Sequence, residues 1–407
     1  NSSVNDVNLN GSTKDRFAIV TVETDKGILA YVDLDGDDDI SDAVRIDSYD
    51  VSQQTFTFPR RSPDSTRAPL TFALHIDESG TQVSFHFDDG GHGTHVAGIA
   101  AGYKLGGRDD LHGIAPGAQI LSLKIGDNTL SGGATTTDSM REAIEFAGQW
   151  SVDHSQHVIM NISYGIGSEI EGESDIDVAL DEALTKYPLL HASVSAGNEG
   201  PGLSSVGTPG ASAQCTSVAA MLPKRSASLL FGAALDQDRI FAFSSRGGEL
   251  DKPDLLAPGT ASSSIPNHSD RDVKAGTSMA APQITGAYAL LASAAKATGL
   301  RTNGTTLKRA LIHSARRIDG YSILAQGAGL PNIKRAFVAL RRLAESREPF
   351  DVSGYTVRTT VPTSISGKSR AAYWRTGTYL PAKTKGHTFQ IEAVHPEDAS
   401  AEQRASL

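Results

Sequence analysis

The 407-residue sequence contains a single cysteine, Cys215, so no intrachain disulfide can form. A lone cysteine among small and apolar neighbours is more often a buried hydrophobic residue than a nucleophile, and we predict the buried role for Cys215. The lack of disulfides fits a cytosolic protein, but bacterial secreted enzymes also lack them. The compartment therefore stays open between the two.

Long apolar runs are also missing, since none reaches the ~18 residues that a membrane-spanning helix needs. No signal-peptide pattern opens the chain, although the first residue is Asn1 rather than Met, which is consistent with a mature form or a fragment. Basic residues are fewer than acidic ones, with 37 Lys and Arg against 47 Asp and Glu, which gives a net charge of −10. We therefore expect neither a nucleic acid nor a membrane as the main partner.

Glycine, in contrast, is frequent at 40 residues, which favours a loop-rich α/β or β-rich protein. From residue 91 onward, helix-like and strand-like patterns alternate. Helices are predicted at 92–102, from 137, and at 176–186 and 277–297, and strands at 119–125, 158–163 and 189–196. Alternation of this kind predicts an α/β fold with a parallel sheet covered by helices on both faces.

The two ends of the chain have a different character. Residues 1–90 are irregular and acidic, with a predicted hairpin at 17–32 around a turn and further strands at 70–76 and 82–87. Strand-like patterns return at 355–361 and 388–394. We therefore predict an N-terminal segment over 1–90, a core over 91–345, and the start of a β-rich domain over 350–407.

Three short segments carry residues suited to nucleophilic catalysis: 91–98 (GHGTHVAG), 195–200 (SAGNEG) and 276–282 (GTSMAAP). Ser278 lies two residues after Gly276, in the first turn of a predicted helix whose N-terminus stabilises developing negative charge. His92, between small residues, is a candidate general base for Ser278. Asn198 is a candidate hydrogen-bond donor to an oxyanion. Each motif alone also fits a helix cap, a structural histidine or a turn, but coincidence of all three is improbable.

In this order and near these separations, the three segments closely resemble the subtilisin-like serine peptidases, the S8 subtilase family. The resemblance implies a subtilisin-like fold, a peptide or protein substrate, and an acyl-enzyme on Ser278 with no required cofactor. It also implies that Ser163, Tyr164 and Gly165 form an extended edge that pairs with the substrate backbone, although a plain exit from the strand is the alternative. His95 is predicted to be a packing or hydrogen-bonding support rather than a proton carrier.

Three further segments are similar to the tripeptidyl-peptidase II branch of that family. They are 113–127 (GIAPGAQILSLKIGD), 206–210 (VGTPG) and 325–330 (AQGAGL). This branch has an insertion between its catalytic Asp and His, which implies that residues 1–90 belong to the insertion. The catalytic Asp is then expected before residue 1, because no apolar strand followed by Asp-Thr/Ser-Gly is present. Asp33 and Asp77 are the alternatives within the chain. Large assemblies occur in the branch, so a homo-oligomer is one open alternative.

Members of the branch that release tripeptides carry two glutamates that bind the free amine of the substrate. The matching positions here are Ala134 and Ile166, and an ammonium group without a partner is costly to bury. We therefore predict a serine endopeptidase, with a tripeptidyl exopeptidase as the alternative if Glu169 or Glu171 takes the role. The absence of a recognisable triad Asp also leaves room for a catalytically inactive scaffold, and the same catalytic residues would serve an esterase or amidase.

An acidic segment at residues 33–39 (DLDGDDD) places carboxylates at alternate positions, as calcium loops do. Asp33, Asp35 and Asp37 are the candidate calcium ligands. The glutamate expected at the twelfth position is replaced by Val44, which weakens the comparison with an EF-hand. The alternative is an acidic turn exposed to solvent.

Overall fold

The computed structural model describes residues 6–8, 10–59, 70–88, 90–126, 135–168, 170–266, 272–345, 354–360, 368–369, 388–395 and 400–401. The chain divides into two compact units. The first contains Asn1–His95 and Ile265–Asp272, and the second contains Val96–Ser264 and Val273–Leu407. A membrane-crossing helix, judged by length and apolar character, is not found among the described residues.

The first unit is built from short antiparallel strands. Its elements are β1 (Ile19–Thr24), β2 (Gly27–Val32), a 3-10 turn (Ile40–Asp42), β3 (Val44–Ile46), α1 (Tyr49–Ser52), β4 (Thr55–Phe56), β5 (Phe72–Ile76) and β6 (Val83–His86). One sheet has the order β1-β2-β3 and the other has the order β4-β5-β6. The predicted hairpin is confirmed, because Thr24 pairs with Gly27 across a tight turn.

Alternation of apolar residues explains the core of this unit. Along β5, the side chains of Phe72, Leu74 and Ile76 are buried and the intervening residues are more exposed. Successive side chains of a strand point to opposite faces, so one face of the sheet is apolar. Phe56 and Phe85 pack on the same cluster with ring centroids 5.7 Å apart.

The second unit alternates helices and strands. Its elements are α2 (His92–Ala101, which begins in the first unit), a 3-10 turn (Leu105–Gly107), α3 (Thr137–Asp153), β7 (Val158–Ile162), α4 (Asp175–Lys186), β8 (Leu190–Ser195), β9 (Thr216–Leu222), α5 (Lys224–Phe231), β10 (Arg239–Ile240), β11 (Leu255–Pro258), β12 (Thr260–Ser262), β13 (Val273–Ala275), α6 (Thr277–Ala297), α7 (Gly304–Ser314), α8 (Ile323–Gln326) and α9 (Ile333–Glu345). Strands β7, β8, β9 and β11 are parallel, and β10 is antiparallel to β9. The predicted α/β fold is therefore confirmed.

Helices cover both faces of this sheet. On β8, Ala192 and Val194 pack in a cluster with residues of α3 and α4. The intervening Ser193 donates a hydrogen bond to the carbonyl of Ala281 in α6, at 2.8 Å. Because β8 is buried on both faces, its side chains are apolar or small except for the buried His191.

The predicted buried strand at 119–125 is wrong. No strand is assigned there, and the side chains alternate between exposed and half-buried, with Ile120 59% exposed. Leu123 and Ile125 pack against the cluster that contains Met140. The apolar pattern therefore reflects one packed face of an extended segment rather than burial on both faces.

Near the C-terminus, β14 (Gly354–Thr360), β15 (Lys368–Ser369) and β16 (Phe389–Val394) form a small antiparallel sheet in the order β15-β14-β16. The strand patterns predicted at 355–361 and 388–394 are thus confirmed. The predicted division of the chain remains a prediction. It comprises an insertion over 1–90, a core over 91–345 and the start of a β-rich domain over 350–407.

Candidate active site

Ser278 is the second residue of α6, as predicted, and a proline in the next turn determines how its carbonyl is bonded. In an α-helix, the N–H of residue 282 would bond the carbonyl of residue 278, but Pro282 has no N–H. The freed carbonyl of Ser278 instead accepts a hydrogen bond from Ser163 Oγ at 2.8 Å. The proline thus creates the acceptor that joins the end of β7 to the start of α6.

Ser163 and Ser278 are linked in both directions. The hydroxyl of Ser278 donates to the backbone carbonyl of Ser163, with an Oγ–O distance of 3.4 Å. Ser163 is the first residue after β7 and begins the predicted substrate edge with Tyr164 and Gly165. The structure therefore brings the beginning of that edge next to the predicted nucleophile.

A hydrogen-bond relay that the sequence did not reveal lies behind Ser163. Thr285 Oγ1 in α6 donates to Asn161 Oδ1 at 3.1 Å, and Asn161 Nδ2 donates to Ser163 Oγ at 2.9 Å. Because Ser163 in turn donates to Ser278, the relay orients the hydroxyl of Ser163. The available signal was one polar residue, Asn161, within the otherwise apolar strand β7.

Asn198 is hydrogen-bonded to Thr277, the residue before the predicted nucleophile Ser278. Its Oδ1 atom accepts hydrogen bonds from the Thr277 backbone N–H at 3.0 Å and from Thr277 Oγ1 at 3.1 Å. Only the carbonyl oxygen of an amide can accept, so these contacts fix which side-chain atom is oxygen. The Nδ2 donors of this exposed side chain are then left for a ligand, as an oxyanion donor requires. Gly197, with φ of 109°, provides the backbone turn before Asn198.

His92 is the first residue of α2 and is exposed. The Asp88 carboxylate stabilises this helix start by accepting from the backbone N–H groups of Gly91 at 2.7 Å and Thr94 at 2.8 Å. This role of Asp88 was not predicted, although an aspartate just before a helix is a known signal. Joint action of His92 and Ser278 stays a prediction.

His95 has the supporting role that was predicted. It is fully buried, and its Nε2 atom lies 2.8 Å from the backbone carbonyl oxygen of Asp272. Cys215 is also fully buried, and burial raises the pKa of its thiol to about 11. Its predicted role as a small buried residue is confirmed, and at neutral pH it is a thiol rather than a nucleophilic thiolate.

The two in-chain candidates for the triad acid are both used in local turns. Asp33 accepts hydrogen bonds from the backbone N–H groups of Gly36 at 2.6 Å and Asp38 at 3.1 Å. Asp77 accepts from the Ser79 hydroxyl and from the Gln82 backbone N–H, and these bonds lower the pKa of Asp77. The hydrogen bonds of Asp33 and of Asp77 are those expected of aspartates that stabilise turns, and they require no part in catalysis.

The acidic turn does bring its predicted ligands together. Oxygen atoms of Asp33, Asp35 and Asp37 all lie within 4.8 Å of one another. Burial and the negative charge of Asp37 raise the pKa of Asp35. Oxygen ligands at such separations suit a hard cation such as Ca²⁺, which would also relieve their mutual repulsion. Calcium binding stays a prediction.

The positions that bear on exopeptidase action are only partly described. Ala134 and Glu169 lie outside the described residues. Ile166 is 59% exposed, directly after the predicted substrate edge, and Glu171 is 5% exposed. An apolar side chain thus occupies one position at which an amine-binding carboxylate was considered, and the neighbouring glutamate is buried.

Comparison with known proteins agrees with this geometry. The model of the subtilase family, Peptidase S8, matches residues 65–337. Pyrolysin from Pyrococcus furiosus is 31% identical over 395 residues, which cover 83% of the chain and 27% of the relative. Tripeptidyl-peptidase 2 from Oryza sativa subsp. japonica is 32% identical over 344 residues, which cover 81% of the chain and 24% of the relative.

A crystal structure of tripeptidyl peptidase 2 superposes with a TM-score of 0.65 at 26% identity, covering 84% of this chain and 26% of that one. The chain therefore spans about a quarter of the length of these relatives. The match to the family model includes the three segments that carry His92, Asn198 and Ser278. With this match and the shared α/β fold, the chain belongs to the subtilase family of serine peptidases.

Proposed function

We propose that this chain provides the peptidase site of a serine endopeptidase. The observation that carries the proposal is the placement of Ser278 in the first turn of α6, bonded to Ser163 and next to Thr277, which holds Asn198. A nucleophile, a substrate edge and an oxyanion donor are thereby assembled around one helix N-terminus. A scaffold without activity would not need to keep His92, Asn198 and Ser278 together.

In the proposed reaction, a peptide pairs with the backbone of residues 163–165 and presents its carbonyl to Ser278. His92 accepts the hydroxyl proton as Ser278 Oγ bonds to the carbonyl carbon, and Asn198 Nδ2 donates to the oxyanion. The C–N bond then breaks, and the leaving amine takes the proton from His92. Water then attacks the acyl carbon while His92 accepts its proton. The ester bond to Ser278 Oγ breaks, His92 returns the proton to that oxygen, and the carboxylic acid product leaves.

Endopeptidase rather than tripeptidyl action is supported by the residues after the substrate edge. Ile166 has no charge with which to bind a substrate amine, and Glu171 is almost fully buried. A free amine would remain charged at neutral pH and would need a carboxylate partner. The relatives named tripeptidyl-peptidase 2 favour the alternative, so the two modes need a direct comparison.

Two otherwise identical peptides of about twelve residues distinguish endopeptidase from tripeptidyl action. One has a free N-terminus and the other has an acetylated N-terminus. We expect cleavage of both at internal bonds, with kcat/KM values within about threefold, because no amine contact is lost. Mass spectrometry of the products identifies the cleaved bonds. Tripeptide release from the free peptide alone would instead support exopeptidase action. Cleavage of an ester but of neither peptide would support an esterase. No reaction either with this chain or with a form extended at its N-terminus would favour a scaffold.

Calcium binding to the acidic turn is tested by calorimetric titration. We expect heat on addition of calcium, with a Kd of roughly 10⁻⁴ to 10⁻³ M because the turn lacks the bidentate glutamate of stronger sites. Asp35→Asn should abolish the heat. Asp25→Asn, in the exposed turn between β1 and β2, changes the charge equally and should not. No heat with the unaltered chain would leave Asp33, Asp35 and Asp37 as an ordinary solvated turn.

A further inference from the structure

The substrate edge is continued by a backbone bridge to a distant segment. Beyond Gly165, the N–H of Ile166 donates to the carbonyl of Thr208 at 3.1 Å, and the N–H of Thr208 donates back at 2.9 Å. The two backbones approach closely, because a Cβ atom on Gly207 would lie 2.4 Å from the carbonyl oxygen of Ile166. A shift of Thr208 would therefore move Ile166 and the edge before it.

The side chain of Thr208 is held by the start of α4. Its hydroxyl lies 2.7 Å from the hydroxyl of Ser174, the residue that caps α4. Ser174 Oγ also donates to Asp177 Oδ2 at 2.7 Å. Since a hydroxyl has only one proton, Ser174 must accept from Thr208 while it donates to Asp177. The direction of this chain of hydrogen bonds therefore depends on an ionised Asp177.

Asp177 is fully buried, and a buried carboxylate needs a compensating role. Burial raises the pKa of Asp177, the hydrogen bonds from Ser174 and from the Gly172 backbone lower it, and the charge of Asp181 raises it. Asp181 itself binds the backbone N–H groups of Ala213 and Gln214. A proton on Asp177 would turn its carboxyl into a donor, so that Ser174 would donate to Thr208 instead.

We propose that Asp177 is a positioning residue for substrate binding, which holds Ile166 and the substrate edge at 163–165 before it in place through the hydroxyls of Ser174 and Thr208. The inference rests on the proposed peptidase function and adds a determinant of substrate affinity to it. Asp177 cannot touch the substrate, because it is fully buried. Its effect is expected on KM rather than on kcat, since the link of Ser278 to Ser163 does not pass through it.

The test compares kcat and KM of four variants on an internally cleaved peptide from pH 4.5 to 8. Thr208→Val should raise KM about fivefold with little change in kcat, as expected for one lost hydrogen bond. Asp177→Asn should raise KM in the same direction, because its neutral amide replaces the charge-assisted acceptor of the Ser174 hydroxyl. Thr208→Ser keeps the hydroxyl and should restore KM. Asp175→Asn, an exposed aspartate in the same helical turn, is the matched control.

The pH profile separates positioning from a general loss of stability. In the unaltered chain, KM should rise as pH falls through the raised pKa of Asp177, because charge-assisted hydrogen bonds are the stronger ones. In Asp177→Asn, KM should not change over that range. The proposal is overturned if Asp177→Asn shifts KM no more than Asp175→Asn, or if Thr208→Ser behaves like Thr208→Val.

Peptide affinity can be measured without catalysis. Fluorescence anisotropy with a labelled peptide and the Ser278→Ala variant, with and without Asp177→Asn, gives Kd values directly. No cleavage either by the unaltered chain or by a form extended at its N-terminus would contradict the proposed function, whereas an unchanged Kd in the double variant would contradict the role of Asp177. Thermal melting of each variant identifies any that does not fold. If Asp177→Asn does not fold, the difference in KM between Thr208→Val and Thr208→Ser tests the proposal.

Discussion

In a form that carries the complete triad, extended at its N-terminus if the acid lies upstream, Ser278→Ala is expected to lower kcat by about six orders of magnitude, the loss that removal of the nucleophile causes in the related subtilisin. The methyl group that remains cannot form the acyl-enzyme, while the hydrogen bond between Ser163 Oγ and the backbone carbonyl of residue 278 needs no serine side chain. KM should therefore change little. Peptide hydrolysis and labelling by a fluorophosphonate probe, followed by peptide mapping, measure the effect.

Ser293→Ala is the matched control, because Ser293 is an exposed serine on the same helix. It should keep full activity and full labelling of Ser278. Labelling of this chain would indicate that an acid within it completes the triad, whereas labelling only of a form extended at its N-terminus would place the acid upstream. Equal activity of Ser278→Ala and the unaltered chain would exclude Ser278 as the nucleophile.

Asp254→Asn is expected to destabilise the second unit by about 3–5 kcal/mol, because it leaves the buried Lys252 and the partly buried Lys308 without their shared counter-ion. Asp254 Oδ2 lies 2.7 Å from Lys252 Nζ, and Asp254 Oδ1 lies 3.0 Å from Lys308 Nζ. The exposed fractions of these side chains are 14%, 3% and 20% for Asp254, Lys252 and Lys308, so solvent screens the charges little. The same carboxylate accepts from the Ser217 N–H at the start of β9.

Burial by itself raises the pKa of Asp254, but the two ammonium groups lower it below its ordinary value. A lowered folded-state pKa means that the ionised carboxylate stabilises the fold at neutral pH. This contribution is lost as pH falls through the lowered pKa. The difference in unfolding free energy between Asp254→Asn and the unaltered chain should therefore shrink in acid.

Denaturant unfolding, followed by circular dichroism, measures the change. The matched control is Asp251→Asn, an exposed aspartate three residues earlier, which should cost less than about 0.5 kcal/mol. A similar small cost for Asp254→Asn would show that the cluster does not contribute to stability. Replacement of all three charged residues by apolar ones of similar size should recover much of the loss, because no buried charge then remains unpaired.

Local sequence was sufficient for most elements whose pattern is repeated over many residues. Helix α6 begins and ends at Thr277 and Ala297, as predicted from its small and apolar residues, and the hairpin of β1 and β2 follows from a turn between two apolar runs. The positions of Ser278 and Asn198 in their motifs were also readable, because each motif fixes a local backbone shape. Where the pattern was ambiguous, as at 119–125, it did not distinguish one packed face from two.

The sequence by itself thus determined the family motifs, the α/β alternation and the buried role of Cys215, since these depend on residue type and on neighbours along the chain. Only the tertiary structure decided which polar side chains meet. Ser163 and Ser278 are 115 residues apart, Asn161 and Thr285 are 124 apart, and Ser174 and Thr208 are 34 apart. Hydrogen bonds between such positions leave no periodic signal, because their geometry is set by the packing of α4 and α6 around the sheet.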